Sequence, residues 1–237
     1  MKKSTLLFTT LCLIMTFSFQ SFQAQETGSN LALPLFSNVS GNSIITLNNK
    51  DNKAIGSPYL TETFMPAKIS AMQNETYKVR YNAYNDEIEV MIDEDNIQNF
   101  NKNMKGVVIT MLNDDLKFTS VNLIDGDNGV KPGYLVSLTD NNDKVKLFSK
   151  KEIKYYEARP AKTSYDNDRP AEFKNVDDTY FVSINDGYAR ELPSNKKDLA
   201  KLFPKNSKDV LNFIKKKRIK TSKEQDLIQL INYVNSL

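Results

Sequence analysis

The chain has 237 residues, a formal net charge of +3 and 26% charged residues, but it contains no histidine, no tryptophan and one cysteine, Cys12. The lack of imidazole and the single thiol exclude Ser-His and Cys-His nucleophile systems and the ligand sets of ordinary zinc and copper sites. Chemistry that uses carboxylates, a Ser-Lys pair, tyrosine or oxygen-ligated metals stays open, and we predict neither a metal site nor a cofactor.

Residues 1–24 have the pattern of a secretory signal peptide. Two lysines supply the positive start, residues 6–19 are mainly apolar, and Ala24 is a small residue where cleavage can occur, with Ser21 as the alternative. Hydroxyl residues interrupt the apolar stretch, and it is shorter than the roughly 20 residues of a membrane-spanning helix. We therefore predict no transmembrane anchor in the mature chain, and we expect Cys12 to be removed with the signal.

Export sets the expected surroundings of the mature chain, which are the periplasm or the extracellular space. Without the two lysines of the signal, the mature chain has 30 basic and 29 acidic residues. A charge so close to neutral argues, together with export, against a dedicated nucleic-acid binder.

The chain after the signal divides by composition. Residues 25–43 are rich in Ser, Asn and Gly and have few apolar side chains in register, which predicts a flexible lead-in. Over residues 44–192 the apolar residues recur mostly with a period of two, which predicts a β-rich domain.

The clearest predicted hairpin has its turn at residues 82–85. This turn would place Val79 opposite Ile88 on one face of the hairpin. The same register would place Arg80 opposite Glu87 on the other face. Apolar pairs then share one face and opposite charges share the other, as a half-buried antiparallel pair requires.

Turn-forming residues predict three more hairpins. Their turns fall at residues 113–115, 140–143 and 185–187, where Asn, Asp and Gly cap their own backbone or adopt positive φ. The turn at 140–143 would place Leu138 opposite Val145. We expect about eight to ten strands joined by short turns, in an antiparallel meander that forms a curled or barrel-like sheet.

The C-terminal segment, residues 193–237, has a helical period and predicts three helices. The predicted N-caps are Ser194, Ser207 and Ser222. Thr221 and Glu224 predict a capping box before the last helix. The apolar stripe of that helix consists of Leu227, Leu230, Ile231, Val234 and Leu237. Strands first and helices last predict an α+β fold, with the helical segment packed on the sheet.

Four segments carry a resemblance to other proteins, and they are residues 56–60 (GSPYL), 80–89 (RYNAYNDEIE), 158–173 and 226–237. In these segments the chain resembles a group of uncharacterised, signal-peptide-bearing exported proteins of flavobacteria and their relatives. The shared features are patterns of strands and helices rather than of chemistry. The resemblance implies a bacterial cell envelope or secreted setting, and it implies no particular activity.

The strongest candidate for a binding site is residues 157–173, a predicted long loop in which the tripeptide Arg-Pro-Ala occurs twice. Its candidate ligand-binding residues are Arg159, Lys162, Ser164, Tyr165 and Arg169. Two arginines beside a lysine and two hydroxyl groups can hold a carboxylate or a phosphate, so an anionic ligand is expected. The alternative is a proline-stiffened connection whose arginines pair with Asp166, Asp168 and Glu172.

A second cationic candidate is the run Lys215, Lys216, Lys217 and Arg218. At the end of a predicted helix, this run can contact an anionic lipid or polysaccharide surface. The alternative is a solvated helix end whose cations complement the exposed carbonyl groups. Export removes the interpretation of this run as a nucleic-acid site.

Acidic residues are abundant. Pairs such as Glu87 with Glu89 can serve a glycosidase if the fold brings two acids together across a cleft, but solvated strand faces and turn caps also explain them. Residues 125–129 are similar to the start of a calcium loop, but Gly129 and Val136 stand where two of its ligands belong. We therefore predict a tight turn there.

These observations favour an exported, non-enzymatic binding or structural protein of the bacterial cell envelope. A carboxylate-dependent hydrolase of envelope sugars or peptides is the alternative, and it requires two acids that converge in a cleft. A small-ligand carrier is a third possibility, and it requires a large apolar cavity inside a barrel.

Overall fold

A computed structural model describes residues 35–38, 54–72, 75–124, 126, 129–163 and 165–237. The predicted signal peptide lies outside these residues, as do most of the predicted lead-in, Ser164 and three residues of the segment 125–129. Within the described residues, no helix has the length and apolar character needed to cross a membrane.

The described residues form thirteen strands. In chain order they are β1 (Phe36–Asn38), β2 (Met65–Ile69), β3 (Tyr77–Asn82), β4 (Glu87–Asp93), β5 (Asn96–Phe100), β6 (Val108–Met111), β7 (Lys117–Ile124), β8 (Val130–Ser137), β9 (Val145–Lys150), β10 (Ile153–Tyr156), β11 (Glu172–Asn175), β12 (Thr179–Ile184) and β13 (Arg190–Glu191). The number exceeds the expected total of about eight to ten, because a period-two pattern does not reveal strands of two or three residues such as β13 and β1.

Eleven of these strands form one sheet, in the order β1-β5-β4-β3-β2-β6-β7-β8-β9-β12-β13. The paired neighbours run antiparallel. The order contains two runs of sequential strands, β5 to β2 and β6 to β9, which meet at the β2–β6 pair. The sheet is a curled half-barrel and helices follow it, so the predicted α+β fold is confirmed.

The predicted hairpin of β3 and β4 forms, but its predicted register is wrong by two residues. Arg80 lies opposite Glu89 rather than Glu87. The reason is that Asn82 stays in β3, where its side-chain oxygen accepts hydrogen bonds from two loop amides at 3.2 and 3.0 Å. The loop therefore moves to residues 83–86. Because side chains alternate with a period of two, this shift leaves each of them on its predicted face.

The other three predicted hairpins also form. In the β8–β9 hairpin, Leu138 donates a backbone hydrogen bond to Leu147 at 2.9 Å, so the register again differs by two residues from the predicted pairing with Val145. Asp140 closes the turn, because its Oδ1 accepts a hydrogen bond of 2.8 Å from the backbone of Asn142.

Five strands, β7, β8, β9, β12 and β13, form a closed ring of hydrogen-bonded neighbours. The closing link is Ala189, which donates to Asn122 and accepts from Ile124, both at 2.9 Å. This link is possible because β6 pairs only with the first residues of β7 and leaves the rest of that edge free. The interior of the ring is filled by the buried side chains of Leu123, Leu135, Phe148 and Ala189.

Strands β10 and β11 form a separate two-stranded ladder. They belong to a hairpin that we call the arm (residues 153–175). Its register runs without a shift from the Ile153–Asn175 pair to an isolated bridge between Arg159 and Arg169. The segment predicted as a long loop is therefore the outer part of a β-hairpin, because its backbone groups pair with each other.

The three predicted helices follow the sheet, as α1 (Lys196–Lys201), α2 (Ser207–Lys216) and α3 (Glu224–Asn235), with a 3-10 turn at Pro204–Asn206. Four residues of the predicted apolar stripe lie in α3 and pack against the sheet, whereas Leu237 lies beyond the end of the helix and is 55% exposed. Leu227, Leu230 and Ile231 are completely buried there, in one cluster with Leu147 and Val182. Truncation of one such side chain to alanine costs about 2–5 kcal/mol, so this contact holds the helices on the sheet.

The predicted N-caps are wrong at all three helices. Asn195, not Ser194, caps α1, because its Oδ1 accepts hydrogen bonds from two backbone amides of the first turn at 2.8 and 3.3 Å. Ser207 is the first residue of α2 rather than its cap, and α3 begins at Glu224 without a side-chain cap. Thr221 instead donates a hydrogen bond of 3.1 Å to the carbonyl of Ser194. A tertiary contact thus replaces the predicted capping box.

Candidate functional site

An aromatic cluster holds the base of the arm. Tyr155 and Phe173 are cross-strand partners whose ring centroids lie 5.0 Å apart. Both rings also contact Tyr84 in the β3–β4 loop, at centroid distances of 6.5 and 5.5 Å. Such aromatic pairs add about 0.5–1.5 kcal/mol each beyond the area that they bury. The base of the arm is therefore attached firmly to the main sheet.

A second attachment of the arm is the short segment around Ile55. The backbone of Ile55 donates to the carbonyl of Ala171 and accepts from the amide of Phe173, both at 2.8 Å. Gly56 follows with a φ of +81°, and a Cβ atom there would lie 2.5 Å from the carbonyl oxygen of Phe173. Only glycine permits this close approach of two backbones.

The outer part of the arm holds the candidate cations of the sequence. Arg159 and Arg169 donate backbone hydrogen bonds of 2.8 Å to each other's carbonyl oxygens. Residues that oppose each other in this way project their side chains on the same face of the hairpin, and both arginines are exposed. Lys162 is exposed and Tyr165 is fully exposed beyond them, while Ser164 lies outside the described residues.

Two acidic side chains of the arm accept hydrogen bonds from backbone amides of its own turn. Asp168 Oδ1 accepts a hydrogen bond of 2.8 Å from the backbone of Ala161. Asp166 Oδ1 accepts one of 3.1 Å from the amide of the next residue. In the described part of the arm, neither Arg159 nor Arg169 forms an ion pair with these acids. The charge of the two guanidinium groups is therefore available to a ligand.

The cationic run Lys215–Arg218 lies at the exposed C-terminal end of α2. Arg218 adopts a φ of +55°, and the amide of Ile219 donates to the carbonyl of Ile214 at 3.0 Å. This is a Schellman motif, in which the left-handed position is usually glycine. Ile214 and Ile219 are both completely buried, so their contact anchors the turn while the four cations project into solvent.

Two buried charge clusters were not foreseen from the sequence. In the first, Arg80 lies between two aromatic rings, with its Cζ 3.8 Å from the ring centroid of Tyr59 and 4.4 Å from that of Phe64. Arg80 Nη2 is 2.7 Å from Glu89 Oε2, and the Tyr59 hydroxyl donates to Glu89 Oε1 at 3.0 Å. Burial and the neighbouring carboxylate raise the pKa of Tyr59 to about 12. Each polar group of this cluster is satisfied by another.

The second cluster surrounds Asp86 in the β3–β4 loop. Its Oδ1 lies 2.5 Å from Lys150 Nζ and accepts a hydrogen bond of 2.8 Å from the Tyr81 hydroxyl. Lys102 Nζ donates to the backbone carbonyl of Asp86 at 2.6 Å. The cluster joins the loop to β9, which lies far from β3 and β4 in the order of the sheet.

Burial shifts the acid–base behaviour of this second cluster. It lowers the pKa of the Lys150 ammonium, although the carboxylate of Asp86 opposes that change. It raises the pKa of Tyr81 well above its ordinary value, and Asp86 adds to that change. Burial and the Asp86 carboxylate together keep Tyr81 protonated, so its hydroxyl group donates to Asp86. The cluster therefore links distant parts of the sheet.

One groove brings several acids together. It has a volume of about 430 Å³ and is lined by Asp114, Glu152 and Asp178, among other residues. Lys151 forms an ion pair with Asp178 in this groove. Among the described residues, no group of three or more acidic side chains is arranged to hold a metal ion. This groove is one place where a carboxylate-dependent reaction could take place.

No family model, curated protein or solved structure matches this chain. The sequence identified the arm cations through the repeated Arg-Pro-Ala motif. It did not identify Asp86 or the acidic groove, because their members come from separate strands that only the tertiary fold brings together.

Proposed function

We propose that the protein is an exported, non-enzymatic binding module of the bacterial cell envelope, and that its arm holds an anionic ligand between Arg159 and Arg169. The observation that carries this proposal is the placement of the two arginines directly opposite each other, in the exposed part of a regular hairpin. Like charges in opposed positions destabilise a strand pair. A bound carboxylate or phosphate removes that repulsion and accepts hydrogen bonds from both guanidinium groups.

The expected signal peptide and the resemblance to exported flavobacterial proteins support the proposed location in the periplasm or outside the cell. Carboxylate and phosphate groups of envelope polymers and lipids are the anions that such a protein meets. Lys162, Ser164 and Tyr165 follow the first arginine and are proposed to extend the contact. The run Lys215–Arg218, exposed at the end of α2, is proposed as a second contact with an anionic surface.

The two buried clusters support a non-enzymatic role. Glu89, which is 7% exposed, is bound by Arg80, and Asp86 is bound by Lys150. A general acid or base must reach a substrate, whereas these carboxylates are enclosed by their own partners. The acidic groove with Glu152 remains the place to test the alternative of a hydrolase.

The closed ring of strands bears on the third possibility, a small-ligand carrier. A carrier of the lipocalin type holds its ligand in an apolar cavity inside the barrel. Here the interior is occupied by Leu123, Leu135 and Phe148, each at most 5% exposed. This filled core favours binding at the surface of the protein over transport of a ligand in its interior.

The test uses the purified mature chain, residues 25–237, and two anionic probes. These are peptidoglycan sacculi, which carry carboxylates, and lipopolysaccharide vesicles, which carry phosphates. Co-sedimentation is measured for the parent and for the double variant Arg159→Gln/Arg169→Gln. Loss of two charge-assisted hydrogen bonds is expected to weaken binding to the preferred probe about tenfold or more.

The matched control is the double variant Lys154→Gln/Lys174→Gln. These lysines also oppose each other in the arm and are exposed, but alternation places them on the other face. The control is expected to bind within about twofold of the parent. Equal losses in both variants, or no binding of either probe, would refute the arm as the site. Release of soluble sugars or peptides that Glu152→Gln abolishes would establish a hydrolase instead.

A further inference from the structure

A cleft of about 410 Å³ lies at one end of the closed ring of strands. Its floor includes Thr119 of β7, Phe148 of β9 and Ser183 of β12, and its rim includes Lys105, Asp186 and Tyr188. The three floor residues are at most 6% exposed. A volume of this size is typical of small-molecule sites, and the mouth of a barrel is a frequent place for them.

The two floor hydroxyl groups have already used their protons. Ser183 Oγ donates to the carbonyl of Gly187 at 2.6 Å. Ser137 Oγ donates to Asn141 Oδ1 at 3.1 Å, so in the 2.7 Å contact between Thr119 and Ser137 the donor is Thr119. A hydroxyl group has one proton and two acceptor positions. Both floor hydroxyl groups can therefore only accept a further hydrogen bond.

The rim supplies groups of a different kind. Lys146 Nζ and Asp186 Oδ1 lie 2.6 Å apart and largely neutralise each other. Lys105 is exposed and adds hydrogen-bond donors. Tyr188 is 53% exposed and presents an aromatic ring at the entrance. The cleft thus combines acceptors below, donors at the side and an apolar ring face at its edge.

We infer that this cleft binds a unit of a neutral sugar, at a site separate from the arm. A sugar hydroxyl both donates and accepts, so it can give its proton to Thr119 or Ser183 while another hydroxyl accepts from Lys105. The C–H face of a sugar ring can pack on the ring of Tyr188. A neutral sugar meets all three of these requirements.

Three other classes fit less well. A phosphate or carboxylate would place its oxygens against the acceptor-only oxygens of Thr119 and Ser183. A purely apolar ligand would leave the free acceptor positions of those two oxygens without a donor. An ammonium ligand could donate to the floor, but Lys105 would repel it.

The test is a titration of the mature chain with maltotriose, cellotriose and N,N′-diacetylchitobiose, followed by amide chemical shifts in ¹H–¹⁵N NMR spectra. At least one of these sugars is expected to shift the amides of Thr119, Ser183 and Tyr188. Tyr188→Ala is expected to weaken the binding of that sugar at least fivefold. Its thermal stability should not change, because the ring is exposed. Thr119→Val, which keeps the side-chain shape, is expected to weaken it about tenfold.

The matched control is Tyr165→Ala, which removes another exposed tyrosine, on the arm. It is expected to leave sugar affinity within about twofold of the parent, as is Arg159→Gln/Arg169→Gln, so the cleft and the arm fail or succeed separately. The proposal is overturned if no sugar shifts these cleft amides up to roughly 10 mM, beyond the range of even millimolar complexes. It is also overturned if the shifts cluster on the arm or if Tyr188→Ala binds as the parent does.

Discussion

Arg159 and Arg169 are joined through their backbones by two hydrogen bonds of 2.8 Å, so their cationic side chains project side by side from one face of the arm. Lys154 and Lys174 repeat the same like-charge opposition nearer its base. Opposed like charges weaken a strand pair. Two pairs of like charges in the arm therefore oppose each other at a cost in stability.

The opposition of the two arginines predicts that a charge reversal stabilises the arm. Arg169→Glu would place opposite charges across the bridge, and the arm is expected to gain about 0.2–1 kcal/mol. Hydrogen exchange of the amides of Arg159 and of residue 169 measures this local stability. Arg169→Gln is the control, because it removes the repulsion without adding an attraction, and its effect should be intermediate. Faster exchange in Arg169→Glu than in the parent would contradict the prediction.

Gly56 predicts a large loss of stability on gaining a single methyl group. Its Cβ would lie 2.5 Å from the carbonyl oxygen of Phe173, and its φ is +81°. In Gly56→Ala the left-handed conformation costs about 1–2 kcal/mol. The new Cβ atom also adds a clash that only a movement of the backbone can relieve. We expect a total loss of about 3 kcal/mol or more in urea unfolding, with release of Ile55 from the arm.

Gly106 provides the control for that measurement. Its φ is +74°, but a Cβ there would meet no atom within 4 Å. Gly106→Ala is therefore expected to lose only the conformational part, about 1 kcal/mol. Similar losses for Gly56→Ala and Gly106→Ala would show that the close contact with Phe173 has no energetic effect.

Arg218 predicts a gain of stability from a glycine. It occupies the left-handed position of the Schellman motif after α2, with a φ of +55°. Glycine adopts this conformation without the steric penalty of a Cβ, so Arg218→Gly is expected to raise the free energy of unfolding by about 0.5–1 kcal/mol. The neighbouring Lys217→Gly, at a right-handed φ of −87°, should lower it instead. Changes of equal sign in the two variants would count against this explanation.

Buried tyrosines predict a loss of stability at high pH. Burial, with Asp86, raises the pKa of Tyr81 well above its ordinary value, and burial, with Glu89, raises the pKa of Tyr59 to about 12. An unfolded tyrosine loses its proton near pH 10, so above about pH 10 the unfolded state binds fewer protons than the folded state. The free energy of unfolding therefore falls from about pH 10 to 12. Burial lowers the pKa of Lys150, which acts in the opposite direction but is a single group.

Urea unfolding between pH 8 and 12 checks this prediction. Tyr81→Phe removes one of the shifted groups, so the slope of stability against pH is expected to become shallower by up to about 1.4 kcal/mol per pH unit. Tyr165→Phe is the control, because that side chain is fully exposed, and its slope should equal that of the parent. Stability that rises over this range, or a slope that Tyr81→Phe leaves unchanged, would be inconsistent with burial as the cause.

Much of the architecture was predictable because it depends on neighbours in the sequence. Period-two patterns and turn residues predicted the four hairpins, and a helical period predicted the three helices. Registers and caps were less predictable. Asn82 can end β3 or begin its loop, and the choice rests on two hydrogen bonds from its side chain. The sequence predicted that Thr221 pairs with Glu224 in a capping box. In the structure Thr221 donates to the carbonyl of Ser194 instead, through a tertiary contact.

The candidate sites also differ in how far the sequence predicted them. The repeated Arg-Pro-Ala motif marked both arginines of the arm, but only the hairpin shows that they oppose each other. The cleft at the ring had no sequence signal, because it requires Ala189 to close the ring against β7 and bring Thr119 near Ser183.

Composition, periodicity and turn chemistry alone determined which reactions are excluded, the α+β class and the positions of the hairpins and helices, because each of these follows from residues close together in the chain. The tertiary structure decided the strand order, the closed ring, the charge cluster around Asp86 and the cleft. Those features join residues that are distant in sequence, and their partners are selected by packing and by the pairing of buried polar groups, which no local pattern records.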